Sequence, residues 1–280
     1  MTEYVTSRGT RIAYDRQGTG PAVILVGGAM QFRAFDPTTV AMAGLLAEQG
    51  FTVVNYDRRG RGESEAAAPI TLDDTVEDLR ALANEVGGEV ALFGNSSGGA
   101  ISLAAAAAGL PVSRLVLFEV PLGEEGGEDG AEFLAGLRER ITSGEREGTI
   151  EFFMKDMPPE WLSGAKSSPG WPVMVSMGPS LEPDAEALAW TQSAPRAELW
   201  AGVTQPTLVL VGEETMALMR PAAESLVAAL PDARFETIGA REHSWEPQEM
   251  ATTIARFLTP QALRQGQGAG DHTCSGDHAG

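Results

Sequence analysis

Ala91-Leu92-Phe93-Gly94-Asn95-Ser96-Ser97-Gly98-Gly99-Ala100 is the stretch on which the reading of this 280-residue chain turns. An apolar run of strand length passes into Gly-x-Ser-x-Gly and then into an Ala-rich run with helical spacing. The order predicts a strand, a sharp turn and a helix in direct succession. A serine at such a turn sits in a strained backbone conformation. Its hydroxyl is presented at the C-terminal edge of the sheet and at the helix N-terminus, where the dipole and free N–H groups favour developing negative charge. Gly94 and Gly98 are small because neighbouring backbone crowds the bend. Their spacing makes Ser96, rather than Ser97, the candidate nucleophile, and the Ser97 N–H a candidate oxyanion donor.

Working outward, short apolar runs at 22–26, 52–56, 114–118 and 207–211, with a shorter one at 235–238, read like 89–93 as strands buried on both faces. Helical spacing fills 38–49, 75–86, 98–108, 216–230 and 247–258 between them. This alternation predicts an α/β fold, a mostly parallel central sheet flanked by helices. Residues 3–6 and 10–15, joined at Arg8-Gly9, read as an antiparallel hairpin at one edge. No Gly-x-Gly-x-x-Gly follows the first core strand, which argues against a dinucleotide fold. The alternation stops between about 123 and 205. That stretch holds helical pieces at 131–141, 149–154 and 185–191, and loops around Met157-Pro158-Pro159, Ser168-Pro169-Gly170 and Leu181-Glu182-Pro183. It reads as an inserted helical lid (123–205) in a core made of 1–122 and 206–260. Residues 261–280 form a Gly- and polar-rich tail in which disorder is expected.

Of the three histidines, His272 and His278 fall in that tail, so His243 is the imidazole expected inside the globular body. It follows the last strand, on the sheet edge where the nucleophile turn is expected. An imidazole is the side chain best suited to shuttle a serine proton near neutral pH. Glu119 ends the strand after the elbow helix, with apolar residues on both sides, where a carboxylate needs a partner or is costly.

The chain carries a formal net charge of −19 and 43% hydrophobic residues. A surface that acidic repels phosphate backbones and anionic lipid heads, so neither nucleic acid nor membrane is an expected partner. A small-molecule substrate is. A linear sequence locates no surface patch and says nothing of oligomeric state. One cysteine, Cys274, excludes an internal disulfide; the first residues lack an apolar leader, and no run reaches the roughly 18 apolar residues of a membrane helix. The expected location is cytoplasmic. Asp271, His272, Cys274, Asp277 and His278 have metal-capable side chains, but in a Gly-rich tail no metal site is expected. No cofactor is expected either.

The strand–Gly27-Gly28-Ala29 loop, the Tyr56-Asp57-Arg58-Arg59-Gly60-Arg61-Gly62-Glu63-Ser64 stretch, the Ser96 elbow and the late His243 resemble the α/β-hydrolase superfamily up to about Leu258. The resemblance implies an α/β-hydrolase fold and a Ser–acid–His triad of Ser96, an acid and His243. It also implies an oxyanion hole built from the Ser97 N–H and that of Gly28 or Ala29. Many relatives have His-Gly where this chain has Gly27-Gly28; a backbone donor needs no particular side chain. Relatives usually place the acid three residues after the Gly ending the penultimate strand, which here is the uncharged Thr215. Glu119 is the preferred acid, with Glu214 and Glu213 as alternatives, because some members carry it on this earlier strand; the zearalenone lactone hydrolases are similar at Glu119-Val120-Pro121. Asp57 is expected to pair with nearby arginines rather than to act in catalysis.

Met154, Trp161, Trp171, Met174 and Trp190 in the insertion, and Trp245 beside the base, are candidate substrate-binding residues. Met157, Met177, Phe32 and Phe35 are further possible lining. The expected activity is a serine hydrolase acting on an ester or lactone of a mostly apolar small molecule. The alternatives are the same triad used for C–C hydrolysis, lyase or perhydrolase chemistry, or a non-catalytic hydrolase-like binding protein.

Overall fold

The computed structural model describes residues 1–259; the tail from 261 onward, with its metal-capable side chains, lies outside the described residues. Eight strands form one sheet: β1 (Thr2–Ser7), β2 (Thr10–Gln17), β3 (Ala22–Val26), β4 (Thr52–Tyr56), β5 (Val90–Asn95), β6 (Val112–Phe118), β7 (Thr207–Glu214) and β8 (Ala233–Arg241). Their spatial order is β1-β2-β4-β3-β5-β6-β7-β8. The β1–β2 hairpin and the β2–β4 pair are antiparallel; every other pair is parallel.

After β3 the chain steps to one side for β4, then returns to the other side for β5. Strand order therefore reverses between β3 and β5, and the loops leaving their C-terminal ends part to leave a crevice. Gly27-Gly28 leaves β3 there and Ser96 leaves β5 there.

Side chains along β3 alternate between two cores. Ile24 and Val26 face a cluster with α2 (Leu72–Glu85), α3 (Ser97–Ala107) and α10 (Met219–Ala229), through Leu79, Leu82, Ile101, Leu103 and Leu226. Val23 and Leu25 face α1 (Pro37–Glu48) and α11 (Pro247–Leu258), through Met42, Leu46, Met250 and Ile254. Both faces are covered, which is why the parallel strands read as continuous apolar runs. Helix α2 begins three residues earlier than helical spacing alone suggests. Thr71 and Asp74 form a reciprocal capping box that satisfies two orphan N–H groups.

Between β6 and β7 the chain is helical: α4 (Asp129–Ser143), α5 (Arg146–Phe153), α6 (Pro159–Ser167), α7 (Trp171–Ser176), α8 (Glu182–Trp190) and α9 (Arg196–Leu199). Helices α6 and α7 replace expected loop, and α8 starts three residues before the expected helical piece. Pro159, Pro172 and Pro183 each sit in the first turn of a helix, where a missing N–H costs nothing, so they start α6, α7 and α8 rather than break them. No strand interrupts this segment. Among the described residues, no helix is long and apolar enough to cross a membrane.

Candidate active site

Six non-glycine residues among those described have positive φ: Arg8, Met30, Ser96, Glu119, Glu242 and His243. Arg8 serves the β1–β2 turn. The other five sit in loops at the C-terminal ends of β3, β5, β6 and β8, along one sheet edge. Each costs of order 1–3 kcal/mol, and such strain persists only where surrounding structure over-determines it.

Ser96 (φ 55°, ψ −128°) is the N-cap of α3, and its N–H donates to the Phe118 carbonyl at 2.9 Å. This ties the bend to the end of β6, one residue before Glu119. Close approach dictates the glycines around it. A Cβ on Gly98 would lie 2.2 Å from the Val26 oxygen, and one on Gly94 would lie 2.5 Å from Gly99 Cα. Gly28, on the facing loop, would place a Cβ 3.0 Å from Ser96 Cβ.

His243 is set by a tight turn at the end of β8. Arg241 and Ser244 exchange two N–H···O bonds of 2.9 Å, and the central residues Glu242 and His243 both have positive φ, as a type I′ turn requires. The Glu242 N–H donates to the Glu214 carbonyl at 3.1 Å, anchoring the turn to β7. The imidazole Nδ1 lies 2.5 Å from Glu119 Oε2. Glu119 is 2% exposed; its other oxygen accepts the Gly212 N–H at 2.9 Å. Burial opposes ionisation of this carboxyl. The bonds from His243 and the Gly212 N–H, with the Thr215 side chain acting in the same direction, outweigh it and hold the group below the usual glutamate range. An ionised carboxylate only accepts, so the facing Nδ1 carries a proton, and in the neutral ring this leaves the lone pair on Nε2.

Glu213 and Glu214, the last two residues of β7, are exposed, Glu214 paired with Arg241 at 3.2 Å. Of the three carboxylates weighed from the sequence, Glu119 is the one on the imidazole. Thr215, the position where relatives usually carry the acid, has its side chain beside Glu119 instead.

The loop after β3 separates the two amides left open by the sequence. The Gly28 N–H donates to the Gln31 side-chain oxygen at 2.6 Å, which also takes the Asn95 amide at 2.8 Å, while Gln31 donates to Asp36 at 3.0 Å. Gly28 is therefore engaged within its own loop. Ser97 opens α3, in the first turn, where N–H groups have no intrahelical acceptor. Gln31 was not singled out by sequence; a polar residue three after a Gly-Gly pair carries no mark of that role.

Beneath this loop lies a buried ion cluster. Asp184 on α8, fully buried, accepts from Arg58 Nη1 at 2.7 Å and Nη2 at 3.0 Å, and from Arg61 Nη2 at 2.6 Å. The Ser97 hydroxyl donates to it at 2.6 Å. Burial opposes its ionisation, but the two guanidinium groups prevail and hold it below the usual aspartate range. Burial and the neighbouring Arg58 pull Arg61 down to about 10, still charged at neutral pH. Asp57 accepts the Arg33 N–H and guanidinium at 2.9 and 3.0 Å and the Glu63 N–H at 2.9 Å, a structural pairing.

The aromatic and thioether candidates divide. Met154, Trp161, Trp171 and Met174 join Met157 and Met177 in one cluster with Ala29, Met30 and Phe32 of the β3 loop. Trp161 lies nearly parallel to the His243 ring at 6.2 Å, as does Phe118 at 5.9 Å. Phe35 stacks on Phe32 at 5.5 Å. Two expectations need correction. Trp245 turns into the α1/α11 core, edge-on to Phe93 and Phe118, because its neighbour His243 takes the outward side of the turn. Trp190 packs at the margin of the opposite sheet core rather than in the insertion cluster, because it lies at the end of α8 nearest that core.

A family model for the alpha/beta hydrolase family matches residues 23–256. The chain belongs to the alpha/beta hydrolase family. Among solved structures, this alpha/beta hydrolase is similar to an alpha/beta hydrolase from Sphaerobacter thermophilus, with 34% identity over 92% of this chain and 100% of that one, at a TM-score of 0.78. A thermophilic esterase from Thermogutta terrifontis shares 23% identity over 95% and 98% of the two chains at a TM-score of 0.65. The enol-lactonase from Burkholderia xenovorans shares 21% over 92% and 100%, at 0.66. No curated protein matches the chain.

Proposed function

We infer that this alpha/beta hydrolase is a serine hydrolase cleaving a carboxylic ester or lactone of a mostly apolar small molecule. The observation behind the reading is the 2.5 Å Glu119–His243 contact on the same sheet edge as the strained Ser96 bend. Esterase and lactonase activities are both found on this fold in the Thermogutta and Burkholderia proteins.

Ser96 Oγ attacks the carbonyl carbon as its proton passes to His243 Nε2. Glu119 keeps the ring in the required tautomer and stabilises the imidazolium. The developing oxyanion is received by the Ser97 N–H and, since Gly28 is engaged by Gln31, by the Ala29 N–H. The alkoxide leaves with the proton from His243; in a lactone it stays tethered to the acyl group. Water, deprotonated by His243, then attacks the acyl-Ser96 carbon, and the serine leaves reprotonated. The chemistry needs only these groups and water. The wall of Met30, Phe32, Met154, Trp161, Trp171 and Met174 is apolar and favours an apolar acyl or alcohol portion.

The test is labelling with a fluorophosphonate probe, tracked by mass spectrometry, together with turnover of p-nitrophenyl butyrate and a panel of lactones. Labelling at Ser96 and its loss in S96A are expected. Folded protein that neither labels nor turns over any ester or lactone would sink the reading.

A further inference from the structure

We propose that Asp184, brought in by α8 of the helical insertion, is a positioning residue for the oxyanion hole, acting with Arg61 and Arg58 on both of its donors; this rests on the serine-hydrolase reading above. Arg61 Nη1 donates to the Gly28 carbonyl at 2.6 Å and to the Gln31 carbonyl at 3.2 Å, and Arg58 Nη1 to the Gly27 carbonyl at 3.2 Å. The Gly28–Ala29 peptide is trans, so its C=O and N–H point in opposite directions. Holding the carbonyl on a guanidinium fixes the peptide plane and aims the Ala29 N–H away from the arginine. A cation on the carbonyl also polarises the peptide and strengthens that N–H as a donor.

The second donor is held by the same carboxylate. Asp184 Oδ1 takes the Ser97 hydroxyl, fixing the first turn of α3 next to Ser96. Arg61 is placed in turn by Asp184, by the Ser180 hydroxyl at 2.9 Å and by the Ser180 carbonyl at 3.1 Å, all from the insertion. Two arginines against one aspartate leave one net positive charge buried under the β3 loop, of the sign that favours an oxyanion above it. The hole is therefore assembled from three separated segments, and it is complete only with the insertion seated.

Two measurements decide the proposal, each on D184N and on S97A. Without substrate, amide hydrogen exchange is expected to rise about tenfold in peptides covering residues 27–31 and 96–99 in D184N, and in 96–99 alone in S97A, while the interiors of β3 and β5 keep wild-type protection. With p-nitrophenyl butyrate, D184N is expected to lose about 10- to 100-fold in kcat with little change in KM. The inhibition constant of a trifluoromethyl ketone, which becomes a tetrahedral oxyanion on Ser96, should rise in step. S97A keeps its amide and the arginine–aspartate pairs, so it stays folded should D184N not; about a tenfold loss is expected. A merely structural role would lower Tm while leaving kcat per folded site and the ketone affinity at wild-type values. That result, or unchanged exchange in both segments, overturns the proposal. If the wild-type protein neither hydrolyses esters nor labels at Ser96, the assigned reaction falls, and the exchange data alone decide the positioning claim.

Discussion

The sheet edge and the helical segment above it are built in different ways. Ser96 and Glu119 stand at the ends of β5 and β6, where every strand residue from Leu115 to Phe118 is essentially inaccessible and strained backbone is held by rigid surroundings. The segment between β6 and β7 is a chain of short helices. Its α6 and α7 contain no fully buried residue, and it is fastened by polar contacts: Asp184 to Arg58 and Arg61, Arg138 to Glu182 and Glu186, and Glu186 to the Leu72 N–H. The proposed reacting groups sit on the more deeply buried part, and most of the proposed apolar wall sits on the less buried one. Proton transfer demands sub-ångström placement, whereas apolar contact tolerates repacking.

The sharpest way to break this contrast is at Glu119. E119Q should lower kcat by about 10³- to 10⁴-fold, as expected when a triad acid is lost, while E213Q and E214Q stay within about twofold in the same steady-state assay. The substitution also has a pH signature. Glu119 titrates below its ordinary value of 4.5, so the stability it contributes is fully present above that value and is lost as pH falls through the depressed folded-state value. The Tm gap between wild type and E119Q should therefore narrow on acidification, and a pH-independent gap would contradict this.

G98A tests rigidity directly. The added carbon meets backbone oxygen at 2.2 Å, so denaturant unfolding should show a loss of roughly 3 kcal/mol or more. W161A tests adaptability. Stability should change by less than about 1 kcal/mol, since α6 buries no residue fully, while KM for esters of longer acyl chains rises about fivefold. An equal effect on all chain lengths would argue that Trp161 serves the imidazole rather than the substrate. R138A should cost the least, under about 1 kcal/mol in denaturant titration, because its side chain is 45% exposed.

The strands and the elbow were legible in the sequence because two-sided burial writes continuous apolar runs, and because close approach at Gly94 and Gly98 leaves no room for a side chain. Glu119 was legible as a lone carboxylate ending an apolar strand. Proline hid α6 and α7, since the same residue that breaks a helix interior also opens a first turn. Trp245 and Trp190 were misplaced because an indole carries no direction along the chain, and only folding decides which core receives it. Asp184 left no trace. Its partners Arg58 and Ser97 lie 126 and 87 positions away, and nothing local distinguishes it from an ordinary acidic residue in the first turn of a helix.

With the carboxylate carried by the end of β6, the turn leaving β7 keeps only supporting duties: the Gly212 amide and the Thr215 side chain beside Glu119, and the Glu214 carbonyl that anchors the His243 turn. The exposed Glu213 side chain takes part in none of these contacts. A fluorophore or a surface-attachment handle carried on that side chain would stand near the proposed reaction centre while leaving the Glu214 carbonyl bond in place. That makes this turn the natural port for reporting on, or tethering, the enzyme while it works.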